Sequence, residues 1–350
     1  MLNKWVDYMS GLTIISKPRY MNSTISIITI LVVALLSAIA ASYLPDDPYQ
    51  RFKLLDGTIY ESLRRTYERI HYDPRPIDVA VIGPSKSELG ISAMRIQRDL
   101  SVLGNNSQVE NFSITADGRN IEWIIVKELY KRKSPKVLVI SIDEEPFPWG
   151  HMAFKYAAPA TDVSVPASPF LHNYFKDLVY LPFRQIELFG EMLLPDWFGS
   201  NRRFDPNHYA RARSDFTSTF LGKNGEWVQM DVQLPRAKLI SDYRDYLVHE
   251  KKSHMPKIFV KYDQADDRVY MDKIVQLANK HGTRIVFVFI PRFMGALSYN
   301  NRSYYERFGI IQDNSDIGQR ESLYSGWPHV NHAGAMMISD RVAKTVAPAL

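Results

Sequence analysis

The chain of 350 residues contains no cysteine, which excludes disulfide bonds and thiolate metal sites. Three of its histidines, His208, His249 and His254, are not spaced as metal ligands, and no glycine-rich phosphate loop is present. The net charge is +5, but the basic residues are interspersed and form no cluster typical of nucleic-acid binding. Repeats and low-complexity tracts are also absent. The sequence therefore predicts no metal, no cofactor and no nucleic-acid partner.

The composition is that of a globular protein with a sizeable core. Hydrophobic residues make up 45% of the chain and charged residues 23%. A basic balance of this size allows an acidic partner, such as anionic lipid headgroups or an acidic glycan.

The most apolar stretch lies near the N-terminus. Residues 25–44 form a run of 20 residues without a charge, and a helix needs ~20 apolar residues to cross a bilayer. Lys4, Lys17 and Arg19 precede this run against only Asp7, so the positive-inside rule keeps the N-terminus in the cytoplasm. We expect a cytoplasmic tail (1–23) and a transmembrane anchor (24–45) in the cell inner membrane, with the rest of the chain periplasmic or extracellular.

A cleaved signal peptide is the alternative interpretation of this run. Residues 38–42 (AIAAS) are small enough for cleavage. However, the apolar run is longer than the ~7–15 residues of a usual signal-peptide core, which favours an uncleaved anchor. After the run, the pattern at 50–70 predicts an amphipathic stalk helix, and residues 46–76 are expected to form a stalk and linker.

Strand-like and helix-like segments then alternate. Apolar runs typical of buried strands lie at 77–82, 108–114, 136–142 and 283–290, with a short last strand expected at 309–312. Helical patterns lie at 94–103, 121–132 and 266–281. This order predicts a parallel sheet between two layers of helices, a three-layer α/β sandwich at 77–350. The aromatic-rich stretch 151–262 interrupts it, and we expect an inserted cap containing a helix at about 174–194.

One turn in this pattern is suited to chemistry. In the segment IDVAVIGPSKSELGIS, a strand ends at Gly83-Pro84 and Ser85 follows on the strand-to-helix turn. Open α/β folds place their chemistry at the carboxyl ends of the strands. Ser85 is therefore a candidate nucleophile, whereas Ser87 is better explained as a turn or cap hydroxyl.

The end of the chain supplies a candidate base. In WPHVNHAG, His329 comes just before a predicted helix at 335–346, and Asn331 is its predicted N-cap. A hydroxyl after the first strand and an imidazole before the last helix are the two groups that a serine nucleophile needs.

These two segments resemble the SGNH (GDSL-like) hydrolase superfamily, over about 77–147 and 283–350. The chain is most similar to a membrane-anchored branch of that superfamily, which includes alginate O-acetyltransferase accessory proteins and the D-alanyl transfer protein of teichoic acids. The resemblance implies a flavodoxin-like sandwich in which Ser85 is the nucleophile and His329 the general base. Asn111 and Ser113 lie in the block that matches the family's oxyanion motif, Asn-x-Gly-x-x-Gly, where Ser113 and Ala116 replace the two glycines.

The family's third catalytic residue has no direct counterpart. Members usually carry Asp three residues before the His, and here that position is Gly326. The resemblance leaves Asp313, Asp316 or Glu321 to orient the imidazole, or a Ser-His dyad without a third member.

Further candidates line the expected crevice. Asp143 or Glu144 follows the strand at 136–142 and replaces the family's Gly-x-Asn-Asp block. Lys86 is positioned to meet an acidic glycan or an acyl carbonyl, with a solvated charge as the alternative. Asn331 completes the set of pocket candidates.

The resemblance implies three functions. The first is an O-acyltransferase that acetylates or otherwise acylates a cell-surface or exported polysaccharide and receives the acyl group from a multi-pass membrane acyltransferase. The second is a carbohydrate or lipid esterase that uses the same Ser and His. The third is a catalytically impaired assembly partner of the multi-pass enzyme, which the glycine at position 326 favours.

The topology can be tested directly. A reporter that is active only outside the cytoplasm, fused after Leu350, is expected to be active, because the basic leader holds the N-terminus inside. The protein should also stay in the membrane fraction at high salt. Recovery of a soluble fragment beginning near Ser42 would show a cleaved signal peptide instead.

Overall fold

The computed structural model describes residues 19–143, 149–165, 172–197, 204–206, 209, 215–221, 226–250, 265–295 and 301–350. Most of the expected cytoplasmic tail, residues 1–18, and the candidate Glu144 lie outside the described residues. The strands are β1 (Val79–Ile82), β2 (Val109–Asn111), β3 (Val137–Ile142), β4 (Thr219–Leu221), β5 (Trp227–Gln229), β6 (Arg284–Phe289), β7 (Ile310–Asp313), β8 (Tyr324–Gly326) and β9 (His329–Val330).

The helices alternate with these strands along the chain. They are α1 (Arg19–Ser42), α2 (Pro48–Lys53), α3 (Ser62–His71), α4 (Ser85–Gly90), α5 (Ala93–Val102), α6 (Arg119–Arg132), α7 (Phe154–Ala157), α8 (Ala160–Ser164), α9 (Tyr174–Leu193), α10 (Arg236–Glu250), α11 (Ala265–Lys280), α12 (Arg302–Glu306) and α13 (His332–Val346).

The core of the protein is a five-stranded parallel sheet in the order β2-β1-β3-β6-β7. The predictions of an α/β fold and of four adjacent parallel strands are confirmed, and the expected short last strand is β7. In the middle of the sheet, Val139 of β3 pairs with Val81 of β1 on one side and with Val286 of β6 on the other. All five carboxyl ends therefore lie at the same edge.

Helices cover both faces of this sheet. Successive residues of β1 alternate between two apolar clusters: Ala80 and Ile82 pack on the side of α3, α6 and α11, whereas Val79 and Val81 pack on the side of α5 and α13. Strands covered on both faces are apolar at every position, which is why VAVI and VLVISI lack the alternation of a half-exposed strand. The arrangement is a three-layer sandwich.

The prediction that residues 50–70 form a stalk helix is wrong. Instead of one amphipathic helix, the segment forms α2 and α3, separated by a turn at Gly57, whose φ is +71°. Phe52 and Tyr67 are buried in the main core with their ring centroids 4.7 Å apart. The cause is the set of large apolar side chains in the segment, which α2 buries against α3 and α7 and α3 buries against α6.

The region between β3 and β6 is an insertion, as expected for a cap. It contributes α7 to α10 and a separate hairpin, β4–β5, while the five-stranded sheet is built from strands outside it. The predicted helix at 174–194 is α9. Ahead of the domain, residues 23–42 of α1 form a helix that is long and apolar enough to cross a membrane, and its end packs against α9.

The packing of β6 gives a stability prediction. Phe287 is fully buried and its ring meets that of Tyr305 edge-on at 5.1 Å between centroids. Phe287→Ala should lower the free energy of unfolding by about 3–5 kcal/mol, because it leaves a cavity in the middle of the sheet. The measurement is urea denaturation in detergent. Val102→Ala on exposed α5 is the control, expected within about 0.5 kcal/mol of the parent; an equal loss in both variants would contradict the assigned core.

Candidate active site

The turn after β1 is shaped by a close approach of backbones. A Cβ atom at Gly83 would lie 2.6 Å from Ser87 Oγ and 2.7 Å from Ser141 Cβ, so only glycine fits between α4 and β3. Pro84 is extended and cannot continue the strand ladder, and α4 begins directly at Ser85. These constraints place Ser85 at the carboxyl edge of the sheet, on the first residue of a helix.

His329 is held by a short antiparallel hairpin that the sequence did not predict. The hairpin is β8–β9, with Gly326 opposite His329 across the ladder. Asn331 follows it as the N-cap of α13: its Oδ1 accepts from the Gly334 amide at 3.0 Å and its Nδ2 donates to the Ser322 carbonyl at 2.9 Å. The predicted N-cap is confirmed, and Asn331 acts by fixing the backbone beside His329.

The two candidate catalytic side chains meet. Ser85 Oγ and His329 Nε2 are 3.0 Å apart, and both side chains are half-buried. This separation lies within the range of about 2.6–3.2 Å expected between a nucleophile and its general base. A neutral imidazole at this distance can accept the hydroxyl proton.

A buried ion pair lies beside this dyad. Lys86 Nζ is 3.1 Å from Asp143 Oδ2, and both side chains are largely buried. Burial alone would raise the pKa of Asp143, but the positive charges of Lys86 and Arg292 lower it below its ordinary value. Lys86 is therefore a partner of Asp143, which removes the interpretation that it is a solvated surface charge.

The same cations act on the imidazole. Burial, Arg292 and Lys86 together lower the pKa of His329 from 6.5 to about 4. The ring is consequently neutral above pH ~5, the state that accepts a proton.

The structure does not bring Asp313 or Asp316 to the imidazole. Asp313 Oδ1 accepts from the Ser315 amide at 2.8 Å, and Asp316 pairs with Arg341 at 2.6 Å. Glu321 pairs with Arg236 instead. Within the described part of the chain, no carboxylate is hydrogen-bonded to His329. The geometry therefore does not support any of these residues as the third member, because Asp313 is bonded to Ser315 and the other two form ion pairs with α13 and α10.

Gly326 leaves space for the missing carboxylate. A Cβ atom there would meet only Pro328 Cδ, at 3.6 Å, which is ordinary van der Waals contact. A carboxylate is therefore missing at this position because the residue is glycine, and not because space is lacking.

Asn111 braces the nucleophile turn. Its Nδ2 donates to the carbonyls of Ser87 at 3.0 Å and Ile91 at 2.8 Å, and its Oδ1 accepts from the Ser113 amide at 2.9 Å. The Ser113 amide is therefore already bonded and is not a free oxyanion donor. Ala116, in place of the family's second glycine, has φ +72°, a left-handed conformation that favours glycine. The backbone of this block thus follows a glycine-like path.

Arg292 is a site residue that sequence reasoning missed. It directly follows Pro291 after β6, and its guanidinium lies 4.8 Å from the ring centroid of Trp327 and 5.1 Å from that of Tyr246. These two rings are in contact with each other, and cation–π interactions with both hold the charge near His329. The signal was available: Arg292 follows a strand at its carboxyl end, as Ser85 and Asp143 do.

Comparisons with known proteins add no family to this geometry. No family model matches the chain, and no curated protein matches it. Among the described residues, no group of three or more His, Asp and Glu side chains is arranged to hold a metal ion. What the site can do is therefore argued from its own atoms.

The low pKa of His329 can be measured. Its Cε1 proton resonance, assigned with His329→Gln, should titrate with a midpoint of about 4. Arg292→Gln should raise the midpoint toward 6.5, because removing a nearby positive charge makes protonation easier. Arg341→Gln, which removes a charge paired with Asp316, is the matched control and should leave it unchanged. A midpoint near 6.5 in the parent protein would contradict this electrostatic assignment.

Proposed function

We propose that this chain is a serine-dependent O-acyltransferase, anchored by α1 at the outer face of the cell inner membrane. The observation that carries the proposal is the 3.0 Å contact between Ser85 Oγ and His329 Nε2 at the carboxyl edge of a parallel sheet. A serine placed only as a turn residue has no need of an imidazole at this distance, held by a separate hairpin.

The mechanism follows from the two groups. Ser85 Oγ attacks the acyl carbonyl carbon while His329 Nε2 takes the hydroxyl proton. The tetrahedral intermediate collapses when His329 returns this proton to the leaving group, and the acyl group remains on Ser85 as an ester. A hydroxyl of the acceptor then gives its proton to His329 and attacks this ester. His329 passes the proton to Ser85 Oγ as the bond between the acyl carbon and Oγ breaks, which releases the acylated product and restores Ser85.

The positive charges around His329 have one effect before substrate binds and another during the attack of Ser85. Lys86 and Arg292 disfavour the imidazolium before substrate binds. When the carbonyl oxygen becomes negative, the same cations and the first two amides of α4, those of Ser85 and Lys86, stabilise it. The imidazolium and the oxyanion then form together, and the opposite charges compensate one another in a partly buried crevice.

The resemblance supplies the acceptor and the partner. It favours a polysaccharide hydroxyl as the acceptor and a multi-pass membrane acyltransferase as the source of the acyl group. An esterase would use the same residues with water as the acceptor. The choice depends on how well the inserted region around α7 to α10 excludes water.

One observation favours a second candidate, a catalytically impaired assembly partner. No carboxylate among the described residues orients His329, and two cations weaken its basicity. An imidazole in this setting is a weaker base than one in a complete triad.

The acyltransferase is tested by removing the nucleophile. Ser85→Ala should reduce ester turnover and polymer acylation by at least about 10³-fold, because the acyl-enzyme cannot form. Ser87→Ala is the matched control: this hydroxyl is on the same helix, is fully buried, and has no hydrogen-bond partner among the described residues. It should keep activity, since its loss removes no bond.

His329→Ala should lose as much activity as Ser85→Ala, and the double variant should lose no more than either single variant, because the two residues act as one unit. Full polymer acylation in cells carrying Ser85→Ala, together with none in cells lacking the chain, would refute the enzyme and establish the assembly partner.

A further inference from the structure

Helix α9 exposes large apolar side chains and buries several polar and charged ones. Its exposed residues include a set of large apolar side chains, each 54–74% exposed: Phe175, Val179, Phe183, Ile186 and Leu193. Its buried residues include a set of polar or charged ones: Asp177, Arg184, Gln185 and Glu191. A surface helix of a water-soluble domain has the opposite pattern.

The exposed apolar residues form one stripe. Their spacing of four, four, three and seven residues puts all of them on the same face of a helix with 3.6 residues per turn. Residues 178, 182 and 189 (Leu, Pro and Phe) are half-buried and widen the stripe on one side. The exposed charges of Lys176 and Glu187 lie on its other flank. The outward face of α9 is therefore apolar along its whole length of about 30 Å.

The buried face cannot rotate outward to hide this stripe. Arg184 donates to the carbonyls of Lys155 at 2.6 Å and Ala158 at 2.9 Å, at the end of α7. Its Nε donates to Gln185 Oε1 at 3.0 Å. Because turning the helix would leave a fully buried guanidinium without these bonds, the stripe is held on the outside.

The stripe lies next to α1. Gln185 Nε2 donates to the Leu44 carbonyl at 2.7 Å, and Gln185 falls on the edge of the stripe that residues 178, 182 and 189 widen. The Tyr43 hydroxyl donates to Ser164 Oγ at 3.2 Å, and the Tyr174 hydroxyl donates to the Ser164 carbonyl at 3.0 Å. No charged residue of α9 separates its stripe from the end of α1.

The depth of this contact follows from α1. Its described side chains are exposed throughout 23–37 and become covered only at Ala38, Ala41 and Ser42, where α9 packs. At 1.5 Å per residue, Ala38 lies about 9 Å below Leu44, the last residue of the uncharged run. If α1 crosses the bilayer, the part of α9 in contact with it lies within the outer leaflet.

We propose that α9 is an interfacial helix embedded in the outer leaflet, with its apolar stripe among the lipid acyl chains. The inference rests on the proposed membrane anchoring by α1 and adds a second attachment, which fixes how the domain sits on the bilayer. Interfacial helices have this combination of an apolar face and charged flanks. Trp197, 85% exposed just after α9, is the residue type enriched at the membrane–water boundary.

The absence of cysteine makes the test direct. Phe183→Cys in the full chain is labelled with a nitroxide and reconstituted into liposomes of phosphatidylethanolamine and phosphatidylglycerol, without any other protein. Collisions with oxygen, which concentrates in hydrocarbon, are compared with collisions with a water-soluble nickel chelate. Leu31→Cys in α1 is the lipid reference, and Val102→Cys, an 82% exposed apolar position on α5, is the aqueous reference.

The oxygen-to-nickel ratio at Phe183 should be several-fold higher than at Val102 and should lie between the ratios at Val102 and Leu31, because an interfacial helix is shallower than the middle of a span. A ratio equal to that at Val102, with Leu31 in lipid, would refute the interfacial helix and leave the span intact. Low collision with both reagents at Phe183 would show a second copy covering the stripe, and would also refute it. An aqueous value at Leu31 would overturn the anchoring itself. None of these outcomes depends on Ser85 or His329.

Discussion

The hydrogen bond between Ser85 and His329 joins two turns that are 244 residues apart in the sequence. It depends on the carboxyl edge of the sheet. Gly83 lets the end of β1 approach β3 closely enough for α4 to start at Ser85, and the hairpin β8–β9 carries His329 across the same edge. Asn111 closes the arrangement by bonding α4 to the end of β2. Ser85, Asp143 and Arg292 each follow the carboxyl end of a strand of the sheet. Lys86 and His329 contact Asp143 and Ser85, respectively.

The charges at this edge are unusual for a serine site. A buried carboxylate is present, but Asp143 is paired with Lys86, and the hydrogen bond of His329 is to Ser85. Arg292, which lies against the rings of Tyr246 and Trp327, adds a second cation. The result is an imidazole that stays neutral over the physiological range.

The inserted region contacts the apolar helix α1 and also starts at the carboxyl edge of the sheet, where the candidate site lies. Arg184 and Gln185 connect α9 to the end of α7 and to the end of α1 through backbone carbonyls. The insertion begins a few residues after Asp143, at the same carboxyl edge of β3. With α1 and α9 both in the bilayer, as proposed, the domain would have one orientation relative to the membrane surface.

The sequence by itself determined the strands of the parallel sheet, their adjacency and the two residues that meet in the crevice. The long apolar runs at 77–82, 136–142 and 283–290 have no polar face that could point to water, so they are buried on both faces. Gly83-Pro84 ends the first strand in any surroundings. Asn331 was recognisable because an N-cap is a local bond.

The tertiary structure alone decided which charges surround that pair and which face of α9 is outside. Asp313 and Asp316 were candidates for the third catalytic residue until their bonds to Ser315 and Arg341 were seen. Residues 50–70 have the period of a free amphipathic helix, but the helices α6 and α7 that cover their apolar side chains lie far along the chain. Local periodicity records that a face is apolar, and it does not record whether protein, water or lipid covers it. That choice is made by contacts between segments distant in sequence.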